Sequence, residues 1–77
     1  MSEFEWMNIF GDNLVSILDE YRMTQRDLAD AAGLTESAIS QYIHKQRMPS
    51  IKAVINIADA LDMSLDELIY FGDRIVG

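Results

Sequence analysis

The sequence predicts an all-α domain of five helices, and three observations carry that prediction. Apolar residues recur at three- and four-residue spacing in successive segments, and no stretch alternates with period two for long enough to make a strand. Each segment from the second onward is preceded by a serine or threonine able to cap it. One proline and four glycines act as punctuation along the 77 residues. A chain this short holds material for a single core, so residues 1–77 read as one domain. Hydrophobic residues make up 49% and charged residues 25%, a globular rather than disordered balance. Cysteine is absent, which excludes disulfides and thiolate metal sites and suits a cytoplasmic protein. A core of this size is marginal, and without cysteine the remaining staple is oligomerisation. No apolar run reaches the roughly 20 residues of a membrane span. The N-terminus (Met1, Ser2, Glu3, Phe4, Glu5, Trp6) is acidic where a signal peptide would be basic.

In the first helix Phe10, Leu14, Ile17, Leu18 and Tyr21 fall on one face, and the helix runs to about Tyr21. Ser2 with Glu5, and Asn8, are alternative caps for its start. Thr24 caps a second, short helix from Gln25 to Ala32 with Leu28, Ala29 and Ala32 inward. Gly33 ends it where a left-handed residue is wanted. Thr35 caps a third helix running to about His44, and Pro49 forbids its continuation through the following loop. Ser50 caps a fourth helix with Ile51, Val54, Ile57, Ala58 and Leu61 inward. Ser64 and Glu67 form a capping-box pair for a fifth helix, Leu65 to Phe71, closed by Gly72.

The stretch from Gln25 to Ile43 is the informative one. Two short helices joined through Ala32, Gly33 and Leu34 have the layout of a helix-turn-helix. Ala29 is small where the helices cross, and Gly33 permits the positive φ of a tight turn. Leu28, Leu34, Ile39 and Tyr42 face inward. Glu36, Ser37, Ser40, Gln41 and His44 are left outward. An ordinary helical hairpin would suit any one of these features, but not their combination with two further capped amphipathic helices.

Several stretches resemble the phage repressor/Cro-type (xenobiotic-response-element-like) helix-turn-helix regulators: residues 24–29 (TQRDLA), 32–35 (AGLT), 39–42 (ISQY), Pro49-Ser50, 57–61 (IADAL) and 63–68 (MSLDEL). The resemblance covers about Phe10 to Phe71. It implies a five-helix lambda-repressor-like DNA-binding domain whose third helix enters the major groove, usually as a homodimer on a palindromic operator. Two positions often held by glycine in that family carry Arg22 and Lys45 here, at the ends of the first and third helices. Many members also pair an arginine on the first helix with a glutamate on the third. Leu18 and Ile43 stand at those positions. The exchange of a buried ion pair for an apolar contact avoids charge desolvation, and predicts Leu18 against Ile43 with Ile43 shielded from solvent.

A net charge of −7 must be reconciled with a DNA partner. Residues 1–21 carry five acids and no base, and residues 53–77 carry five acids against Arg74. Residues 22–52 carry Arg22, Arg26, Lys45, Arg47 and Lys52 against Asp27, Asp30 and Glu36, so five of the six basic residues lie in the motif segment. Beyond a Debye length of about 8 Å the distant acids are largely screened. They weaken non-specific binding without forbidding DNA.

With the motif in place, Gln41 sits mid-face on the third helix and can grip adenine N6 and N7. Ser37, Glu36, Ser40 and His44 are the other candidates for base edges. Gln25 resembles the family's glutamine that holds a phosphate at the start of the second helix. Thr35, Lys45, Arg47 and Lys52 are phosphate candidates, with backbone N–H groups near Ser50 and Ile51 alongside. Apolar residues crowd both ends (Trp6, Met7 and Ile9; Ile69, Tyr70, Phe71, Ile75 and Val76), more than this core can use, and mark the terminal regions as a dimer face. With one histidine, no cysteine, no phosphate loop and no paired-carboxylate pocket, the chain reads as a non-enzyme without cofactor or metal. The functional expectation is a small DNA-binding repressor of a prophage or mobile element. The rival is an antitoxin or interaction module whose main partner is a protein such as a toxin.

Overall fold

The computed structural model describes residues 2–72, folded as α1 (Glu3–Tyr21), α2 (Gln25–Ala32), α3 (Glu36–Ile43), α4 (Ile51–Ala60) and α5 (Leu65–Ile69). Among the described residues there is no strand. Every helix opens on a hydroxyl. Ser2, Thr24, Thr35, Ser50 and Ser64 accept from the backbone N–H three residues on, at 3.0–3.2 Å. Ser2, rather than Asn8, starts α1. The Ser64–Glu67 capping box forms as expected, and a second one, Thr24–Asp27, opens α2.

Four helices also close alike. At the ends of α1, α2, α3 and α4 one residue turns left-handed: Arg22 (φ 54°), Gly33 (68°), Lys45 (61°) and Asp62 (55°). In each case its N–H and the next residue's N–H reach back to the last helical turn, as in Met23 to the Leu18 carbonyl and Met63 to the Ala58 carbonyl, both 2.9 Å. This is the Schellman closure, which satisfies carbonyls that the helix leaves orphaned. Only one of the four positions is a glycine. Arg22 and Lys45 thus hold the conformation for which glycine is the easier residue.

α2 packs on α3 and α4, α1 on α3 and α5, and α4 on α5. The core is built from Phe10, Leu14 and Ile17 of α1 with Leu28, Ile39, Ile57 and Leu68, all fully buried. Phe10 meets the Tyr42 ring edge-on at 6.0 Å. Leu18 and Ile43 are both half-buried against this core, from the two helices expected to carry them. Gly11 faces the end of α3 so closely that a Cβ there would lie 2.7 Å from the Tyr42 carbonyl oxygen. The glycine sets how near α1 and α3 approach.

Two features differ from the pattern reading. Ile51 is not inward: it is 81% exposed, because the first residue of α4 projects past the core that Val54 and Ile57 enter. The fifth helix ends at Ile69, and Gly72 has no left-handed φ. The end of α5 is held from α1 instead. Asn13, 4% exposed, donates through Nδ2 to the carbonyls of Leu68 (3.1 Å) and Ile69 (2.8 Å) and accepts from the Gly72 N–H at 3.2 Å. Phe71 belongs to the core and meets the Tyr21 ring edge-on. Ile75 and Val76 lie outside the described residues.

Candidate nucleic-acid interface

The outward side of α3 carries the residues its pattern assigned to that face. Glu36 and Ser37 stand exposed in the first turn, Ser40 and Gln41 are half-buried in the middle, and His44 is exposed at the C-terminal end. Behind them Ala38, Ile39 and Tyr42 anchor the helix in the core. Thr35 caps the helix through Oγ1 and the Ala38 N–H. His44 Nδ1 lies 2.8 Å from the Ser40 carbonyl oxygen and 3.3 Å from Ser40 Oγ. A carbonyl only accepts, so Nδ1 is the donor in this contact.

Beside this face a cleft of about 450 Å³ opens between the α2–α3 turn and α4. Thr35, Arg47, Ser50 and Lys52 line it, over a floor that includes Ala38 and Tyr42. Three phosphate candidates therefore share one concavity. Two candidates stand apart from it. Gln25 is the first residue of α2, half-buried, beside a capping box that holds the Asp27 carboxyl below its ordinary pKa, chiefly through the Thr24 N–H and then the Thr24 hydroxyl. Lys45 turns toward α1, where its ammonium lies 2.8 Å from the Asp12 carboxylate.

The family model for the helix-turn-helix matches residues 15–68, from within α1 to within α5. The chain belongs to the helix-turn-helix family. Within it the chain is 38% identical over 61 residues to YqaE of Bacillus subtilis, described as an uncharacterised helix-turn-helix-type transcriptional regulator; the match takes in 79% of this chain and 53% of that protein. It is 36% identical over 45 residues to RstR of Vibrio cholerae, described as a transcriptional repressor of the cryptic phage CTXphi, across 58% of this chain and 40% of that protein. The chain thus spans about half the length, or less, of these curated relatives. No described helix is long and apolar enough to cross a membrane.

The helix-turn-helix surface includes groups that pattern reasoning missed. Asn56 of α4 reaches the wall of the polar cleft. Asp12 is the partner of Lys45, thirty-three residues away in sequence. Gln41 accepts from Arg47 Nη1 at 3.5 Å. None of these carries a local signal: the first two depend on which helix lies beside which, and the third on the left-handed turn at Lys45.

Proposed function

We propose that this chain binds double-stranded DNA sequence-specifically as a non-enzymatic, cytoplasmic transcriptional regulator, acting as a repressor with α3 in the major groove. The observation that carries the reading is the polar outward face of α3 set directly beside a cleft lined by Arg47 and Lys52. Gln41 reads a base edge, with Ser37, Glu36, Ser40 and His44 as its neighbours on the same face. Thr35, Arg47, Lys52 and Gln25 hold the sugar-phosphate backbone, and Lys45 joins them when it leaves Asp12. The similarity to a phage repressor supports repression and a prophage or mobile-element setting.

The operator is a palindrome bound by a homodimer. A second concavity, about 290 Å³ and apolar, is lined by Trp6, Pro49, Ile51, Ile55, Leu65 and Ile69. Ile51 in this groove and Lys52 in the polar cleft are consecutive residues, so a second copy seated on the groove stands alongside the same DNA face. The face expected at the chain termini thereby extends onto α4.

Selection of bound fragments from genomic DNA, followed by footprinting, tests the reading. The expected result is a salt-sensitive palindromic site with half-sites about 34–36 Å apart, and a complex that Ile51→Glu splits into monomers. Absence of any salt-sensitive DNA binding overturns the DNA reading. A strictly monomeric protein on an asymmetric site overturns the dimer. Tight capture of a separately encoded toxin on the groove, in place of a second copy, favours the antitoxin alternative.

A further inference from the structure

We infer that Arg47 is a positioning residue for Gln41, so that it sets sequence preference as well as holding phosphate; this rests on the DNA-binding reading above. The argument begins at the end of α3. The Lys45 N–H reaches the Tyr42 carbonyl at 3.1 Å and the Gln46 N–H reaches the Gln41 carbonyl at 2.8 Å. In closures of this kind the residue after the turn commonly packs its side chain on the one five positions before it. Those pairs are Leu18 with Met23 in α1, Ala29 with Leu34 in α2 and Ala58 with Met63 in α4. In α3 the pair is Gln41 with Gln46. Three closures therefore carry an apolar pair and one carries two amides, and the exception lies on the face assigned to DNA.

The closure has a consequence for the next residue. Lys45 at φ 61° reverses the chain, and its Asp12 partner ties the turn to α1. Arg47 is thereby carried back over the last turns of α3, where its Nη1 donates to Gln41 Oε1 at 3.5 Å. A guanidinium has only donors, so it accepts one of the two amide orientations and rejects the other. With Oε1 held toward Arg47, Nε2 faces away from it, and a second lone pair on Oε1 stays open. An adenine edge needs both groups at once, Oε1 to accept from N6 and Nε2 to donate to N7. Arg47 preselects that arrangement. An unheld glutamine would divide its population between two flips, and the preference for one base would fall.

The test uses the full chain and the duplex it selects, with variants of that duplex at the base pair whose discrimination Gln41→Ala lowers most. Arg47→Met keeps a long unbranched side chain and removes every donor. The expected result is a fall of about three- to tenfold in discrimination at that base pair, beside a salt slope lower by about one per half-site from the lost phosphate contact. Added to Gln41→Ala, the same substitution should alter discrimination no further. In the free protein, the Gln41 side-chain amide should become more mobile in Arg47→Met by NMR relaxation. Full discrimination in Arg47→Met overturns the inference while leaving the DNA reading intact, as does an equal loss in the Gln41→Ala background. A parent protein that selects no duplex overturns both, and that failure is visible before any substitution is made.

Discussion

Replacing Asn13 should loosen the closing segment of the domain far more than its small size suggests. The side chain makes three hydrogen bonds to backbone groups of residues 68, 69 and 72, and the one to the Leu68 carbonyl is fully buried. A net value near 1 kcal/mol per bond gives about 3 kcal/mol for all three. Two of the three are only part-buried, so water can replace them in part. Asn13→Ala should therefore cost about 2–3 kcal/mol, a fall of roughly 10–20 °C in Tm for a domain of this size. Asn13→Leu restores volume and leaves the carbonyls without a donor, so it should give no rescue. Asn13→Asp should be worse than Asn13→Ala at neutral pH, because a carboxylate would face two carbonyl oxygens. The introduced carboxyl would have its pKa raised by folding. Its protonated form, the donor, supports the fold at low pH, and that support is lost as pH rises through the folded pKa. Urea unfolding at several pH values, with hydrogen exchange of residues 65–72, measures this. A cost below about 0.5 kcal/mol for Asn13→Ala, or parental stability in Asn13→Leu, would refute the reasoning.

Gly11→Ala should destabilise by about 1–3 kcal/mol despite alanine's better helix propensity, because its Cβ meets the backbone carbonyls of Tyr42 and Ile43 at 2.7 and 3.2 Å. Denaturant titration checks this, and amide shifts confined to α1 and the end of α3 should accompany it. Arg22→Gly and Asp62→Gly should each stabilise by roughly 0.5–1 kcal/mol, the left-handed penalty less the entropy of a more flexible unfolded chain; loss of stability in both would contradict the closure geometry. Folding depresses the Asp27 pKa. Its contribution is therefore present above the ordinary carboxylate pKa and lost as pH falls through the depressed folded value. Asp27→Asn should flatten that acid limb, and an NMR titration midpoint at or above an ordinary aspartate would sink the assignment. Asp12→Asn should release Lys45 and steepen the log-log salt dependence of DNA binding by up to about one per half-site; an unchanged slope would leave Lys45 without a phosphate role.

The five helices were legible because their signals are local. A hydroxyl three residues before an amide, an apolar stripe, and a glycine at Gly33 act within one or two turns, and each acts here as the pattern implied. The same locality made the outward set on α3 readable, since Leu28, Ile39 and Tyr42 had to be inside. Ile51 misled because periodicity reports which stripe a side chain joins, not whether the core extends far enough to cover it. Gly72 misled because a glycine after a helix is ordinarily its left-handed closure, whereas this one gives its N–H to Asn13.

Everything that joins distant segments needed the packed fold. The pairs Asn13 with Leu68, Asp12 with Lys45, and Gly11 with the Tyr42 carbonyl span from 31 to 55 positions along the chain. Arg47 and Gln41 are only six positions apart, yet they meet because Lys45 takes a left-handed φ that glycine favours and lysine rarely adopts. Hydrogen bonds and ion pairs act over a few ångströms of space. A one-dimensional pattern states what each segment can bury or cap, and only the docking of α1 against α3 and α5 brings Asn13, Asp12 and Gly11 within reach of their distant partners.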